Sequence, residues 1–313
     1  MTLISINNKH NIMKVKDGII GLVVGDALGV PVEFSGRYDR MKDPVIGMRE
    51  YGAHNQPKGT WSDDSSMTIA TMASIVNKNK IDYEDMMDEF IKWCRNDKYT
   101  NSDSGRFDIG NTTIRSLTRY YKGTSALESG GTDDRDNGNG SLMRILPLAY
   151  IKDINYGTIE SVSSLTHAHI ISRIACVLYI EIAKSMLEND LEIHEHIEWA
   201  CDKIKDHYYD SPALKSFEKI FSNDLGDVRG RTFVVGSLEC VIHCLLTTNN
   251  YKDAVLKAVN FGDDADTTAA ICGGLAGIYY GYDSIPIEWI DTINKIDKVE
   301  SLCEKYELFC GGL

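Results

Sequence analysis

Apolar residues recur at helical spacing over most of the chain, and the period-two alternation of a half-buried strand is weak throughout. Over 13–28 the positions Val15, Ile19, Ile20, Leu22, Val23 and Ala27 predict a first helix that ends at the Pro31 break. Gly18, Gly21 and Gly25 lower its helicity but allow close backbone approach, so it reads as tightly packed. Residues 35–61, rich in Gly and Pro, read as loop. Helical pattern then runs over 67–76, 83–93, 111–121, 142–150, 161–187, 193–208, 211–221, 232–246, 252–259 and 265–280. The last of these is small-residue and nearly uncharged, which predicts a helix buried on most sides. Segment 123–140 is the least regular and reads either as a solvated loop or as a flexible wall over a site. No internal repeat is visible. The pattern predicts an all-α fold, a compact single-domain orthogonal helical bundle over 1–313.

Composition narrows the function classes. The chain has 313 residues, 43% of them hydrophobic and only 6 proline, which is enough for a large core and argues against disorder. A formal net charge of −13 disfavours nucleic acid and anionic membrane as partners. The 8 cysteines contain no Cys-x-x-Cys pair and sit mostly in apolar helical runs, so they read as reduced core residues of a cytoplasmic protein. The N-terminal 17 residues are polar and lack the apolar core of a signal peptide.

The candidate chemistry lies at two acidic helix mouths. Gly59-Thr60-Trp61-Ser62-Asp63-Asp64 opens one helix and Gly262-Asp263-Asp264-Ala265-Asp266-Thr267 opens another. Taken alone, Ser62-Asp63-Asp64 is better explained as a helix cap than as a ligand set. The second motif is more telling. Within a helix Asp264 and Asp266 would point about 200° apart, so they converge only if Asp264 precedes the helix and Asp266 caps it. Several carboxylates at the mouth of a buried helix need compensating charge, and the helix dipole supplies only about half a unit. Oxygen-only donors select Mg2+, with Mn2+ as the alternative, and the number of carboxylates suits two ions roughly 3.5–4 Å apart. The sequence therefore predicts a dimetal cleft.

With these residues placed, the chain resembles the ADP-ribosylglycohydrolase family. The resemblance runs from about Val15 to Tyr280 and rests on five motifs in order: Gly25-Asp26-Ala27-Leu28-Gly29 with Glu33, the 59–64 motif, Gly138-Asn139-Gly140-Ser141-Leu142-Met143-Arg144, Thr166-His167-Ala168-His169, and Asp264-Ala265-Asp266-Thr267 with Gly273-Gly274-Leu275-Ala276-Gly277. The resemblance implies an all-helical enzyme with two magnesium ions, held by Ser62, Asp63, Asp64, Asp264, Asp266 and Thr267. It implies a catalytic role for Asp63, Asp64 and Glu33. It places Gly138, Asn139, Gly140 and Ser141 at the ribose or phosphates and His167 near the diphosphate, while His54 is a further candidate on the loop before the first motif. Arg144 is expected to be a buried partner of a carboxylate such as Asp26. Ser62 stands where many members have Thr, and Asp263 stands where many have Gly.

The function so implied is Mg2+-dependent hydrolysis of the bond between ADP-ribose and a protein side chain, with arginine the preferred acceptor. Its partners would be an ADP-ribosylated protein or ADP-ribose itself. The alternative is a non-catalytic relative that binds ADP-ribose or occludes an ADP-ribosyltransferase toxin; retention of all six ligand types speaks against it. A helical diphosphate-processing synthase would need an Asp-Asp-x-x-Asp run, and Ser66 and Met67 stand at its end here.

Overall fold

The computed structural model describes residues 15–226, 228 and 231–311; positions 13 and 14 of the expected first helix lie outside them, as does most of the polar N-terminus. Among the described residues the backbone is helical, with extended pairing confined to three isolated bridges. The helices are α1 (Val15–Gly29), α2 (Arg37–Lys42), α3 (Asp63–Lys78), α4 (Tyr83–Asn96), α5 (Asn111–Tyr121), α6 (Tyr156–Ser164) and α7 (Ile170–Glu188). They continue as α8 (Ile193–His207), α9 (Glu218–Phe221), α10 (Val234–Leu246), α11 (Tyr251–Val259), α12 (Ala265–Tyr280), α13 (Ile287–Ile290) and α14 (Ile296–Gly311).

α1 and α12 are apolar on every side, and both are buried along nearly their whole length. They run antiparallel in direct backbone contact. A methyl group built on Gly21 would lie 2.3 Å from the carbonyl oxygen of Gly273, and one on Gly25 would lie 2.1 Å from that of Ala269. One on Gly29 would lie 2.2 Å from Cα of Asp266. The four-residue spacing puts these glycines on one face of α1, so hydrogen side chains let the helices touch over that whole face. The contact delivers the end of α1 to the mouth of α12.

A carboxylate docks α3 on the same helix. Asp26, buried in the last turns of α1, accepts from the backbone N–H of Ser62 (3.0 and 3.1 Å), from that of Ser65 (3.0 Å) and from Ser65 Oγ (2.5 Å). The N–H groups of a first helical turn have no intrahelical acceptor, so Asp26 satisfies donors that would otherwise be orphaned. Trp61 anchors the approach to this turn: its backbone N–H donates to Asn101 Oδ1 and its indole N–H to the carbonyl of Tyr99, both at 3.0 Å. The two acidic mouths thus meet at the C-terminal end of α1.

Several expected elements change. Helix 67–76 extends to 63–78 because Ser62 caps it, accepting from Asp64 N–H. The 142–150 helix is instead two 3-10 turns, Leu142–Arg144 and Leu146–Tyr150, with Pro147 in the second. The 161–187 helix divides into α6 and α7. Gly131 N–H donates to Thr166 O (2.9 Å) and Ala168 N–H to Gly131 O (2.8 Å), which pulls 166–168 into a bridge before His169 caps α7. Segment 211–221 is a 3-10 turn followed by the short α9, and the 35–61 loop contains α2. α13 and α14 were not anticipated. α14 carried a signal: Val299, Cys303, Tyr306 and Cys310, spaced by four, three and four, are its buried stripe.

Arg144 is a correction. It is fully buried, but its Nη2 donates to Val162 O (3.0 Å) and Thr166 Oγ1 (2.9 Å), not to Asp26, whose oxygens are taken by Ser62 and Ser65. The cysteines are free thiols, all buried except the half-buried Cys94. No helix among the described residues is long and apolar enough to cross a membrane.

The α1–α12 contact sets a stability expectation. Gly25→Ala pushes a methyl into backbone that cannot rotate away, so it is expected to cost at least about 2–3 kcal/mol. Gly226→Ala, where no atom of the described residues lies within 4 Å, is the control. Urea unfolding of both variants checks this, and equal midpoints would refute the close-contact account.

Candidate metal centre

The two mouths converge within hydrogen-bonding distance. Asp64 Oδ2 accepts from Ser62 Oγ (2.8 Å) and, across the sequence, from Thr267 Oγ1 (3.3 Å). Carboxylate oxygens of Asp26, Asp64 and Asp266 lie within 4.8 Å of one another. A second group within the same limit is Glu33, His54, Asp108 and Asp266, so Asp266 is common to both. The cap at the second mouth is Asp264 rather than Asp266: Asp266 is inside the first turn, its Oδ1 accepting from Thr267 N–H at 2.9 Å.

The donor chemistry fits a divalent cation. Asp64 Oδ1 and Asp266 Oδ2 are buried with no hydrogen-bond partner among the described residues, although each is an acceptor that burial makes costly to leave empty. Burial raises the pKa of Asp63, Asp64, Asp264 and Asp266, with the neighbouring carboxylates adding to it. Burial also pushes Asp26 up to about 6 and Asp108 upward. Two helix N-termini contribute roughly one positive charge between them, well short of these seven carboxylates with Glu33 included.

Glu33 follows a 3-10 turn at the end of α1 and pairs its Oε2 with His54 Nε2. Burial lifts Glu33 to about 7 despite that bond, and the bond to Glu33 raises His54. His54 reaches this position because Gly52, at φ +56°, lies against the Pro31 carbonyl, 1.9 Å from where a β-carbon would stand. The rings of Phe34 and Phe107 flank the imidazole at 5.6 and 5.0 Å.

A cavity of about 450 Å3 opens above the carboxylates, a size suited to a small-molecule site. It is lined by Glu33, Asp63, Asp264 and Thr267 and by a glycine-rich wall of Gly138, Asn139, Gly140 with His167. The 123–140 segment forms this wall, and it is tied down rather than loose. Gly131 bridges to 166–168, Asn139 N–H donates to Thr232 O and Val234 N–H to Asn137 O, both at 2.9 Å. The Asn139 side chain braces Asp264 (2.6 Å) and Ser237 (3.0 Å). Ser141 lies beneath the wall, fully buried, its Oγ accepting from Ser163 Oγ at 2.9 Å, and it does not line the cavity.

Sequence reasoning missed Asp108. Its carboxyl hydrogen-bonds with Glu33 and Asp63 and lines the cavity. The only local signal is a carboxylate set between Phe107 and Ile109, just ahead of the α5 start. Asp263 finds an explanation. It adopts φ +54°, a conformation glycine takes freely, while its backbone pairs with Phe34 and Ser35 (2.7 and 2.8 Å) and its side chain faces solvent.

Two helix mouths that pool buried carboxylates under a cleft in an all-helical fold form a site that could hold divalent cations. The sequence pattern of the ADP-ribosylglycohydrolase family matches residues 8–311, and the chain belongs to that family of enzymes. It is 28% identical over 308 residues to the ADP-ribosylarginine hydrolase Tri1 of Serratia proteamaculans (strain 568), covering 96% of this chain and 80% of that protein. It is 28% identical over 299 residues to the ADP-ribosyl-[dinitrogen reductase] glycohydrolase of Rhodospirillum rubrum, covering 88% of each. A solved structure titled ADP-ribosylglycohydrolase-related protein complex shares the fold, with a TM-score of 0.80 at 23% identity over 96% of this chain and 99% of that one.

Cation binding must displace protons from the raised carboxyls, so affinity is expected to tighten as pH rises through the range marked by Asp26 (about 6) and Glu33 (about 7). Without cation, these groups bind more protons folded than unfolded. Their stabilising contribution is complete below the unfolded value near 4 and is lost as pH rises through the folded values. The histidines that burial keeps neutral, His167, His196 and His243, act in the opposite sense. The diagnostic is therefore the rise in Tm on adding Mg2+ to chelator-treated protein. It is expected to be larger at about pH 8 than at about pH 5.5; an equal or smaller rise at the higher pH contradicts the assignment.

Proposed function

We propose that this enzyme removes ADP-ribose from a modified protein side chain, with arginine as the acceptor. We further propose that it works with a pair of Mg2+ ions, Mn2+ being the substitute. Ser62, Asp63, Asp64, Asp264, Asp266 and Thr267 would hold them. The carrying observation is the pair of partnerless oxygens, Asp64 Oδ1 and Asp266 Oδ2, on carboxylates drawn together from opposite ends of the chain beneath the cleft. Bound there, the cations supply charge compensation, a Lewis-acid anchor for ribose hydroxyls and a more acidic water.

The chain's own groups divide the remaining work. Asp63 faces the cavity and takes the proton of the attacking water. Glu33 and His54 share a proton between Oε2 and Nε2, and a carboxyl near 7 can donate it to a leaving group at neutral pH. Gly138 and Gly140 leave room for the phosphates along the glycine-rich wall. Asn139 holds Asp264 in place. A guanidinium leaving group is cationic, which suits a mouth bordered by Glu33, Asp63 and Asp108, and the name of the Serratia relative supports arginine.

The test is release of ADP-ribose from arginine-, serine- and cysteine-linked substrates in Mg2+ and in chelator. Arginine-linked substrate is expected to turn over only with Mg2+. Asp64→Asn, near-isosteric and folded by circular dichroism, should lower turnover by at least about a hundredfold, since even outer-layer metal partners are worth 10–100-fold. Undiminished turnover of this variant removes Asp64 from the site, and turnover confined to serine- or cysteine-linked substrate removes arginine as the acceptor.

A further inference from the structure

Under the glycine-rich wall runs a buried polar line that the metal centre does not use. Arg144 is fully buried with its guanidinium 4.8 Å from the centre of the Phe90 ring. Thr166 is fully buried as well, and among the described residues its hydroxyl has two partners, Arg144 Nη2 and His167 Nδ1, each at 2.9 Å. A guanidinium only donates. Thr166 Oγ1 therefore accepts from Arg144, and its own proton is left for His167 Nδ1. Were Nδ1 also protonated, the hydroxyl proton would be buried without an acceptor, a state folded proteins avoid. Nδ1 thus accepts, and the ring proton sits on Nε2. Burial first, and the Arg144 charge second, hold His167 down to about 3, so the ring is neutral. Arg144 itself, at about 10, stays a cation.

Nε2 lies between the two glycines of the wall. A methyl on Gly138 would stand 3.4 Å from it, and one on Gly140 3.2 Å. His167 lines the cavity, and its Nε2 has no hydrogen-bond partner among the described residues. Bulk at either glycine would cover this one atom.

We propose that Arg144 and Thr166 are positioning residues that lock His167 as its Nε2–H tautomer, so that the wall presents one neutral donor to an acceptor-only, anionic oxygen of the phosphoryl class. The ligand class rests on the reading of the cleft as an ADP-ribose site; the tautomer lock does not. Guanidinium and ammonium groups find nothing to bond on this wall atom, so the lock also orients the ligand, phosphates to the glycines and acceptor side chain to the carboxylates.

Long-range proton–nitrogen correlation spectra of the full chain labelled with nitrogen-15 histidine read the tautomer, with His167→Gln assigning the signal. The wild type and Thr166→Ser should show Nε2–H alone. Thr166→Val should show mixed tautomers, and calorimetry with ADP-ribose and Mg2+ should find its affinity lowered by roughly tenfold, with Thr166→Ser near the wild type. A wild-type His167 that is Nδ1–H or cationic at neutral pH overturns the proposal, as does a Thr166→Val protein with Nε2–H unchanged. Should Thr166→Val fail to fold, the wild-type and Thr166→Ser spectra still decide. If the lock is present but ADP-ribose does not bind the wild type, the functional reading and the ligand class fail while the lock stands.

Discussion

The structure depends on the backbone contact between α1 and α12. Gly21, Gly25 and Gly29 admit the carbonyls and Cα atoms of Gly273, Ala269 and Asp266 at distances no β-carbon tolerates. That contact fixes the end of one buried helix against the start of another, far along the chain. The consequence is chemical. Asp26, three residues before Gly29, captures the free N–H groups of Ser62 and Ser65, so a third helix starts at the same point. Two helix mouths and one helix end then share a space too small to keep their carboxylates apart.

Such crowding is unfavourable by itself. Burial raises the proton affinity of these carboxylates, repulsion adds to it at Asp63, Asp64 and Asp266, and two oxygens have no hydrogen bond among the described residues. A fold that needed only stability would replace these residues with apolar ones of similar size. The arrangement is intelligible when the missing positive charge arrives with a ligand: the site stores unsatisfied acceptors that divalent cations relieve. The glycine-rich wall follows a different rule. There Arg144 and Thr166 are paired beneath glycines, and His167 is kept neutral. The cleft therefore combines buried carboxylates with an uncharged imidazole beside the glycines.

Much of this was legible in the sequence because it is local or periodic. The Ser62 cap follows from residue type, and the burial of α12 follows from a run without charge. The tight packing of α1 follows from its glycine spacing. Convergence of Asp64 and Asp266 is not local, but the charge imbalance at a buried helix mouth pointed toward it. What escaped depends on single backbone conformations. Asp108 sits at φ +51° in a loop without a pattern, and His54 meets Glu33 only because Gly52 turns against Pro31. The break between α6 and α7 is imposed by Gly131 from a distant segment, so no periodicity within 161–187 could disclose it. Arg144 takes carbonyl and hydroxyl partners rather than the carboxylate its charge predicts, because Asp26 is already filled by donors of Ser62 and Ser65. Asp263, standing where many members have Gly, is a solvent-facing side chain on a left-handed turn.

The central claim is that the two acidic mouths hold divalent cations between them. Crystals of the protein grown with Mn2+, measured at a wavelength where manganese scatters anomalously, test it most directly. Two adjacent anomalous peaks in contact with Asp64 and Asp266 are expected. A map with no peak between these residues, at cation concentrations that support turnover, would contradict it.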